Sequence, residues 1–314
     1  MTDVILRVRT AGPHVSVQDA GRKGLMRFGV PASGPMDSKG LALANAALGN
    51  PVGHAGIEVS LGGLTLDCEQ GALTVAVAGG GFVLQTGAEK LGSWQVLTLR
   101  AGQSLTLRRG PWGSWTYLAF AGDLSAESWL GSHATHAASG LGGGRIATGQ
   151  SLRVQNARVL PAREGPIPCP VWARPRHLLR CVLGPQDRFF DAETLAHFNG
   201  AGFQTTDAFD RMGMRLRGLA LIPSGALSIP SEPILRGAVQ VSGDGVATVL
   251  LADHQTTGGY PKIATVLADD LDGFVQCRPR EDIVFQVVTP DEAVQIARAA
   301  ALRFARYLAS RTAL

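Results

Sequence analysis

The chain holds 314 residues, 45% hydrophobic and 17% charged, enough to bury a sizeable core and too apolar for a disordered protein. Its 29 basic and 25 acidic residues leave a net charge of +4 with no Lys/Arg run longer than two, so the clustered footprint of a nucleic-acid-binding surface is excluded. No apolar run approaches the ~18 residues of a membrane span. The N-terminus has no signal-peptide pattern, and Cys68, Cys169, Cys181 and Cys277 stand far apart with no CxxC. These features predict a cytoplasmic chain with buried thiols, no disulfide framework and no bound metal.

In chain order, a helix is predicted from about Pro35 to Leu48, started by Ser33-Gly34-Pro35 and stopped by Gly49-Asn50-Pro51. Period-two alternation broken by glycine then marks strands at Leu64–Leu66, Leu73–Val77, Val96–Leu99 and Ser104–Leu107. The phrase Ala101-Gly102-Gln103-Ser104-Leu105-Thr106-Leu107 returns as Thr148-Gly149-Gln150-Ser151-Leu152-Arg153-Val154, a turn-plus-strand unit used twice. Five prolines between Leu160 and Pro175 suit a linker, because proline cannot donate to an interior ladder. Strands resume at Leu178–Leu183, Ala238–Val241, Thr248–Leu251 and Ile283–Val288, with a short helix at Asp191–Phe198. The last helix, Pro290 to about Ser310, carries an apolar stripe of Val294, Ala297, Ala301, Phe304 and Leu308 and reads as a packing element. The chain is therefore mainly β, with β-barrel-like domains at 1–165 and 166–314 and a few peripheral helices.

Familiar site motifs are absent. Gly79-Gly80-Gly81 and Gly140-Leu141-Gly142-Gly143-Gly144-Arg145 lack the Lys-Ser/Thr of a phosphate loop and the spacing of a dinucleotide turn. No serine sits in Gly-x-Ser-x-Gly, and His133 and His136 have no cysteines nearby to complete a metal set. Three polar, glycine-bearing stretches exceed what turns need: Ser16–Arg22 running on to Gly29–Asp37, Asp210–Leu216, and Leu251–Lys262. In the last, Thr256-Thr257-Gly258-Gly259 combines two hydroxyls with backbone able to approach a ligand closely or take positive φ, and Tyr260 and Lys262 add a phenol and a cation. A long hairpin loop beside a structural Asp–Arg pair would account for the same residues.

Together these stretches resemble the biotin-dependent carboxyltransferase-like family. That family includes the C subunit of the bacterial ATP-hydrolysing 5-oxoprolinase, allophanate hydrolase subunit 2, the carboxyltransferase half of urea amidolyase and the kinase-inhibitor antagonist KipA. The resemblance rests on Gln18-Asp19-Ala20-Gly21-Arg22, Gly29–Asp37, Asn45 with Gly49-Asn50-Pro51, Glu58 with Leu61-Gly62-Gly63, Gly184-Pro185-Gln186-Asp187, Asp210-Arg211-Met212-Gly213 and Gln255–Pro261, in the family's order along nearly the whole chain. The chain departs from the family pattern at His254, where arginine is usual, at Met214, where tyrosine is usual, and in Val52–Gly56.

The resemblance implies two cyclophilin-like β-barrel domains and an enzyme subunit that is inactive alone. Its leading form is ring opening of the lactam 5-oxoproline to L-glutamate. ATP would be held by a larger lactam-utilisation partner, the A subunit of such a complex, and a second small β partner, the KipI-like B subunit, would complete it. This chain would bind no cofactor itself. Its binding residues would be Gln18, Arg22, Ser33, Arg211, Gln255, Thr256, Thr257, Gly258, Gly259 and Tyr260, with Arg22 or Arg211 meeting the carboxylate through paired guanidinium hydrogen bonds. The Thr257–Gly259 backbone would face the oxyanion, Asp210 or Asp253 would serve as base, and Lys262 would complete the catalytic set. The alternatives are carboxyl transfer from carboxybiotin to urea or a similar amide, and a non-enzymatic antagonist of a kinase inhibitor.

Overall fold

The structure is a computed structural model describing residues 2–224 and 229–312. It divides into two compact units, one of Met1–Arg22, Ser33–Arg174 and Arg306–Leu314, the other of Lys23–Ala32 and Pro175–Ala305. Both are mainly β, as the glycine-broken alternation predicts. No helix among the described residues is long and apolar enough to cross a membrane.

The first unit is an eleven-stranded sheet. Its strands are β1 (Thr2–Ala11), β2 (Ser16–Gln18), β3 (Gly56–Ser60), β4 (Leu64–Gln70), β5 (Ala72–Thr86), β6 (Glu89–Gly92), β7 (Gln95–Arg100), β8 (Ser104–Phe120), β9 (Asp123–Leu124), β10 (Ser151–Ala157) and β11 (Gly165–Pro166). The main path runs β11-β7-β5-β8-β4-β1-β10-β9. On β1 the alternation works as read: Val4, Leu6 and Val8 are fully buried, while Arg7 and Arg9 pair outward with Glu69 and Asp67. Each buried aliphatic contributes about 1.5–3 kcal/mol, and Leu66, Val75, Val77, Leu105 and Phe120 extend the same core. The sheet curls until Thr74 N–H donates to Arg158 C=O at 2.9 Å, bringing the end of β10 against β5.

The glycine triplet is a crossing device. Ladder register between β5 and β8 shifts twice around Gly81. A Cβ on Gly110 would lie 2.0 Å from the Gly81 carbonyl oxygen, and one on Gly81 would lie 2.3 Å from Trp112 Nε1. Only bare backbone lets the two long strands approach so closely. The repeated phrase is also real at atomic level. Gly102 and Gly149 both take left-handed φ, near +84° and +85°, and Gln103 and Gln150 each accept from the backbone N–H three residues back, at 2.9 and 3.0 Å.

Helix α1 (Ser38–Ala47) starts later than the sequence suggests, because Asp37 is its N-cap and accepts from Gly40 N–H at 2.8 Å. Before it, Met36 N–H donates to buried Glu58 at 2.7 Å, and Tyr117 Oη donates to the same carboxylate at 2.9 Å. Burial and the charges of Glu58 and Asp37 push the Tyr117 phenol well above its ordinary pKa. The proline-rich stretch packs on this unit: Gly165 pairs with Val96, and Ile167 N–H donates to Trp94 C=O at 2.7 Å.

The second unit is a closed barrel of β12 (Leu178–Leu183), β13 (Gly202–Phe209), β14 (Gly213–Arg217), β16 (Ala238–Val241), β17 (Ala247–Leu250), β19 (Lys262–Val266) and β20 (Asp282–Val287), in the order β12-β19-β16-β17-β14-β13-β20. A separate ribbon pairs β15 (Glu232–Pro233) with β18 (Thr257–Gly258). Helix α2 (Ala192–Phe198), capped by Asp191, brings Phe198 onto Phe285 at 4.6 Å between ring centroids, with Phe203 against the same ring at 5.5 Å. Met214, one of the departures from the family pattern, is fully buried and opposite Val249, so it packs the barrel core.

Helix α3 (Ala268–Phe274) has no counterpart in the sequence reading. Its Asp270 is fully buried and takes salt bridges from Arg180 at 2.6 Å and Arg176 at 3.0 Å. Helix α4 (Pro290–Thr312) has the expected extent, but the expected stripe is displaced. Val294, Ala297 and Ala301 are exposed, whereas Phe304 and Leu308 of the expected stripe are half-buried and Ala300 is buried.

Candidate functional site

The first unit gathers Gln18 and Arg22 around the 129–135 segment. Gln18 Nε2 donates to Ser16 Oγ at 2.9 Å and Thr135 C=O at 3.1 Å. Arg22 donates to the carbonyls of Trp129 and Ala134, the first at 2.8 Å, and its guanidinium lies 4.8 Å from the Trp129 ring centroid. Asp19 accepts from Ser132 Oγ and His133 N–H, both at 2.6 Å. These side chains tie the Gln18–Arg22 turn to the segment. Ser33 is nearly buried at φ +52°, and its hydroxyl meets no partner among the described residues.

In the second unit, Arg211 and Asp253 form a bidentate pair, Nε to Oδ2 and Nη2 to Oδ1 both at 2.9 Å, with side chains 2% and 1% exposed. Backbone bonds reinforce it: Asp253 N–H donates to Arg211 C=O at 2.8 Å and Leu251 N–H to Met212 C=O at 3.0 Å. The pair therefore fixes the start of the 253–261 segment. Asp210 is exposed, and its carboxylate shapes the turn by accepting from Met212 N–H at 2.8 Å and Gly213 N–H at 3.2 Å. His254 is buried and its Nδ1 lies 2.7 Å from Gln255 C=O. Burial, with the Arg236 charge, pulls its imidazole pKa below the ordinary value.

The 255–262 residues converge on the outer face of the barrel. Cross-strand register puts Arg215 opposite Thr248, Thr248 opposite Gln240, and Gln240 opposite Lys262, one row across four strands. Facing residues of adjacent strands share a face, so the row points one way. The β15–β18 ribbon covers part of it, since a Cβ on Gly258 would lie 2.5 Å from Ile234 Cδ1 and 3.0 Å from Gln240 Nε2. Neither Gly258 nor Gly259 has positive φ. Their bareness serves close packing of the ribbon onto Gln240 and the Ile229 carbonyl.

Beside the ribbon stands a cleft of about 530 Å³ lined by Gln240, Gln255, Tyr260, Arg215 and Thr248. Gln255 Nε2 reaches Gln240 Oε1 at 3.3 Å, whereas Gln240 Nε2 is buried with no hydrogen-bond partner among the described residues. Lys262 is 1% exposed, and its Nζ is likewise buried and unpartnered among them. Burial lowers the Lys262 pKa, and the Glu232 carboxylate partly opposes the shift. Gln186 completes the surroundings: its Oε1 accepts from Lys262 N–H at 3.0 Å and its Nε2 donates to Glu232. Two orphaned donors on facing residues of adjacent strands can bind an oxygen-rich group, since burying an unpaired donor is costly and a ligand acceptor relieves it.

Gln255 and Tyr260 thus share one cleft with Gln240, on which Gly258 packs and which Lys262 faces across the ladder, while Arg211, Asp253 and Asp210 form the neighbouring turn-and-segment anchor. Gln186, Glu232 and Gln240 were not singled out from the sequence as site residues, although Gln186 lies in a family motif. A larger hollow of about 720 Å³ in the first unit, lined by residues such as Trp94, Trp112 and Arg174, contains none of the expected site residues.

A closed barrel with a ribbon-covered row of polar side chains, together with a long-stranded curled sheet, defines a two-unit β protein of the carboxyltransferase type. Residues 28–287 match the model of the carboxyltransferase domain, subdomains A and B, and the chain belongs to that family. It is 33% identical over 288 residues to the 5-oxoprolinase C subunit of Haemophilus influenzae, covering 91% of this chain and 92% of that protein. It is 26% identical over 309 residues to urea amidolyase of Saccharomyces cerevisiae, covering 89% of this chain and 16% of the yeast protein. Among solved structures it is similar to TTHA0988, with a TM-score of 0.80 at 31% identity, over 91% of this chain and 55% of that one. The Kluyveromyces lactis urea carboxylase shares the fold, with a TM-score of 0.84 at 24% identity, over 96% of this chain and 29% of that one. The chain thus spans about half the length of TTHA0988 and less of the urea enzymes.

Proposed function

We propose that this chain is the C subunit of a multi-subunit, ATP-dependent 5-oxoprolinase, a hydrolase acting on a cyclic amide. The observation that carries the reading is the pair of buried donors, Lys262 Nζ and Gln240 Nε2, unpartnered among the described residues on facing positions of adjacent strands. The likeness to 5-oxoprolinase C subunits over nine-tenths of the chain supports it.

The substrate offers one carboxylate and one amide carbonyl. Lys262 and Gln240 donate to the oxygen on which charge builds when the ring carbonyl is attacked, and their burial makes each such bond stronger than it would be in water. Glu232 beside Lys262 favours the charged amine, and Gln186 holds Glu232 in place. The Arg211–Asp253 pair positions the segment without touching substrate. On this reading ATP on the larger A subunit phosphorylates the lactam oxygen, which activates the ring carbon. Attack by water with cleavage of the C–N bond would leave an acyl phosphate that a second water hydrolyses to glutamate and phosphate, and the assembly is completed by the smaller, KipI-like B subunit. The complex works in the cytoplasm.

The test is glutamate release from 5-oxoproline and ATP by the chain with and without these two partners. Turnover in the full mixture alone is expected; its absence from a mixture of well-folded proteins overturns the reading. The match to a family described as carboxyltransferase favours a second reading, in which the same donors receive the ureido oxygen of carboxybiotin. Biotin-dependent carboxylation of urea or a similar amide in place of lactam cleavage would select it.

A further inference from the structure

We propose that His177, Cys277 and Glu281 form a binding site for a single zinc ion at the seam where the barrel closes. The three side chains come from separate segments of the second unit: His177 precedes β12, Cys277 follows α3, and Glu281 leads into β20. One ligand atom from each lies within 4.8 Å of the others, and His177 Nε2 is 3.1 Å from Glu281 Oε2. With metal–ligand bonds of about 2.0–2.3 Å, a filled tetrahedral zinc site spaces its ligand atoms roughly 3.3–3.5 Å apart. Side-chain rotations of about an ångström therefore complete the set.

The donor chemistry selects the ion. A thiolate, an imidazole and a carboxylate suit zinc, whereas calcium and magnesium demand oxygen ligands. Binding exchanges the Cys277 thiol proton for the metal–sulfur bond and releases that proton to solvent. A thiolate and a carboxylate then balance the two positive charges. Two nearby cations are directed elsewhere: Arg176 pairs with Asp270 at 3.0 Å, and Arg280 lies toward Asp207 at 3.9 Å. His177 is exposed while Cys277 is fully buried, so the ion has an entry side and a sealed side. The fourth position is left to water.

The backbone beneath Glu281 is firmly held. Thr205 Oγ1 donates to Arg278 C=O at 2.6 Å, and Arg280 N–H donates to Thr205 C=O at 2.9 Å. Arg280 sits at φ +71°, a conformation costly for a residue with a side chain unless its surroundings impose it. The ion would clip β20 to β12, the parallel pairing that closes the barrel. Sequence spacing conceals the set, because His177 and Cys277 lie 100 residues apart.

Cobalt serves as the spectroscopic probe on the full chain after chelator treatment. One equivalent of Co2+ should produce a thiolate-to-cobalt charge-transfer band that one equivalent of Zn2+ displaces, with release of a proton. C277S should lose the band, C169S should keep it, and H177Q, altered at an exposed position, should weaken affinity more than about tenfold. A wild-type chain without the band, a band that persists in C277S, or an H177Q variant that binds as tightly as wild type overturns the proposal. The assay is independent of lactam cleavage, so its outcome stands whichever activity the chain serves.

Discussion

The K262M variant keeps an unbranched side chain of similar length and volume and replaces the charged ammonium end with an uncharged thioether. In the folded chain that group is buried without a hydrogen-bond partner among the described residues, and burial lowers its pKa. An unsatisfied buried polar group costs about 1–3 kcal/mol, and lysine and methionine lose comparable side-chain entropy on burial. Glu232 keeps Gln186 as a partner after the change. K262M should therefore be more stable than wild type by about 1–2 kcal/mol at neutral pH, allowing for the Glu232 attraction. It should also lose glutamate release in the reconstituted complex. The sign with pH follows from the lowered pKa. The unfolded lysine binds its proton up to about pH 10.4, whereas the folded one releases it earlier, so the wild-type penalty is full below the folded pKa and fades as pH rises through it. Urea unfolding by far-ultraviolet circular dichroism at neutral and alkaline pH measures both effects. All five tryptophans, at 94, 112, 115, 129 and 172, belong to the first unit, so fluorescence on the same samples separates that unit's transition from the barrel's. A K262M chain that is less stable than wild type, or equally pH-dependent, refutes the reasoning.

Removing one side of the Arg211–Asp253 pair leaves a buried uncompensated charge, so D253N should cost about 3–5 kcal/mol of barrel stability and most activity, read from urea midpoints and turnover. G110A should destabilise the first unit by about 3 kcal/mol or more and G81A by less, because the first new methyl meets backbone and the second a tryptophan side chain; tryptophan fluorescence reports both. Burial and the Arg236 charge lower the His254 pKa, while the unfolded imidazole takes a proton below about pH 6.5. Barrel stability should thus fall as pH drops from about 7 to 5, and H254Q should flatten that slope in urea titrations.

Much of this architecture is legible in the sequence because strand alternation and glycine turns are local signals. The copies at Gln103 and Gln150 even close their turns with the same side-chain bond. Helix α3 escaped because Ala-Asp-Asp-Leu-Asp-Gly-Phe has poor intrinsic helicity, and it is held by Arg176 and Arg180 reaching Asp270 from another segment. The site divides in the same way. Lys262 and the Thr-Thr-Gly-Gly run stand out as polar residues in one loop, but the burial of Lys262 is a product of the fold, which brings its backbone N–H to Gln186, 76 residues away, and its strand beside Gln240. A structural Asp–Arg pair is one reading of these stretches, but only the fold shows that its members are Arg211 and Asp253, 42 residues apart.

The first unit takes its final residues from the far end of the chain, where Tyr307 Oη donates to Pro168 C=O and its ring meets Trp172 edge-on at 5.7 Å. It also omits Lys23–Ala32, which belongs to the second unit. The first unit therefore cannot be completed until Arg306 and the residues after it have been synthesised. The first to be synthesised waits for the last helical turns, and a gene truncated after the proline-rich stretch would encode an N-terminal unit missing one of its own pieces.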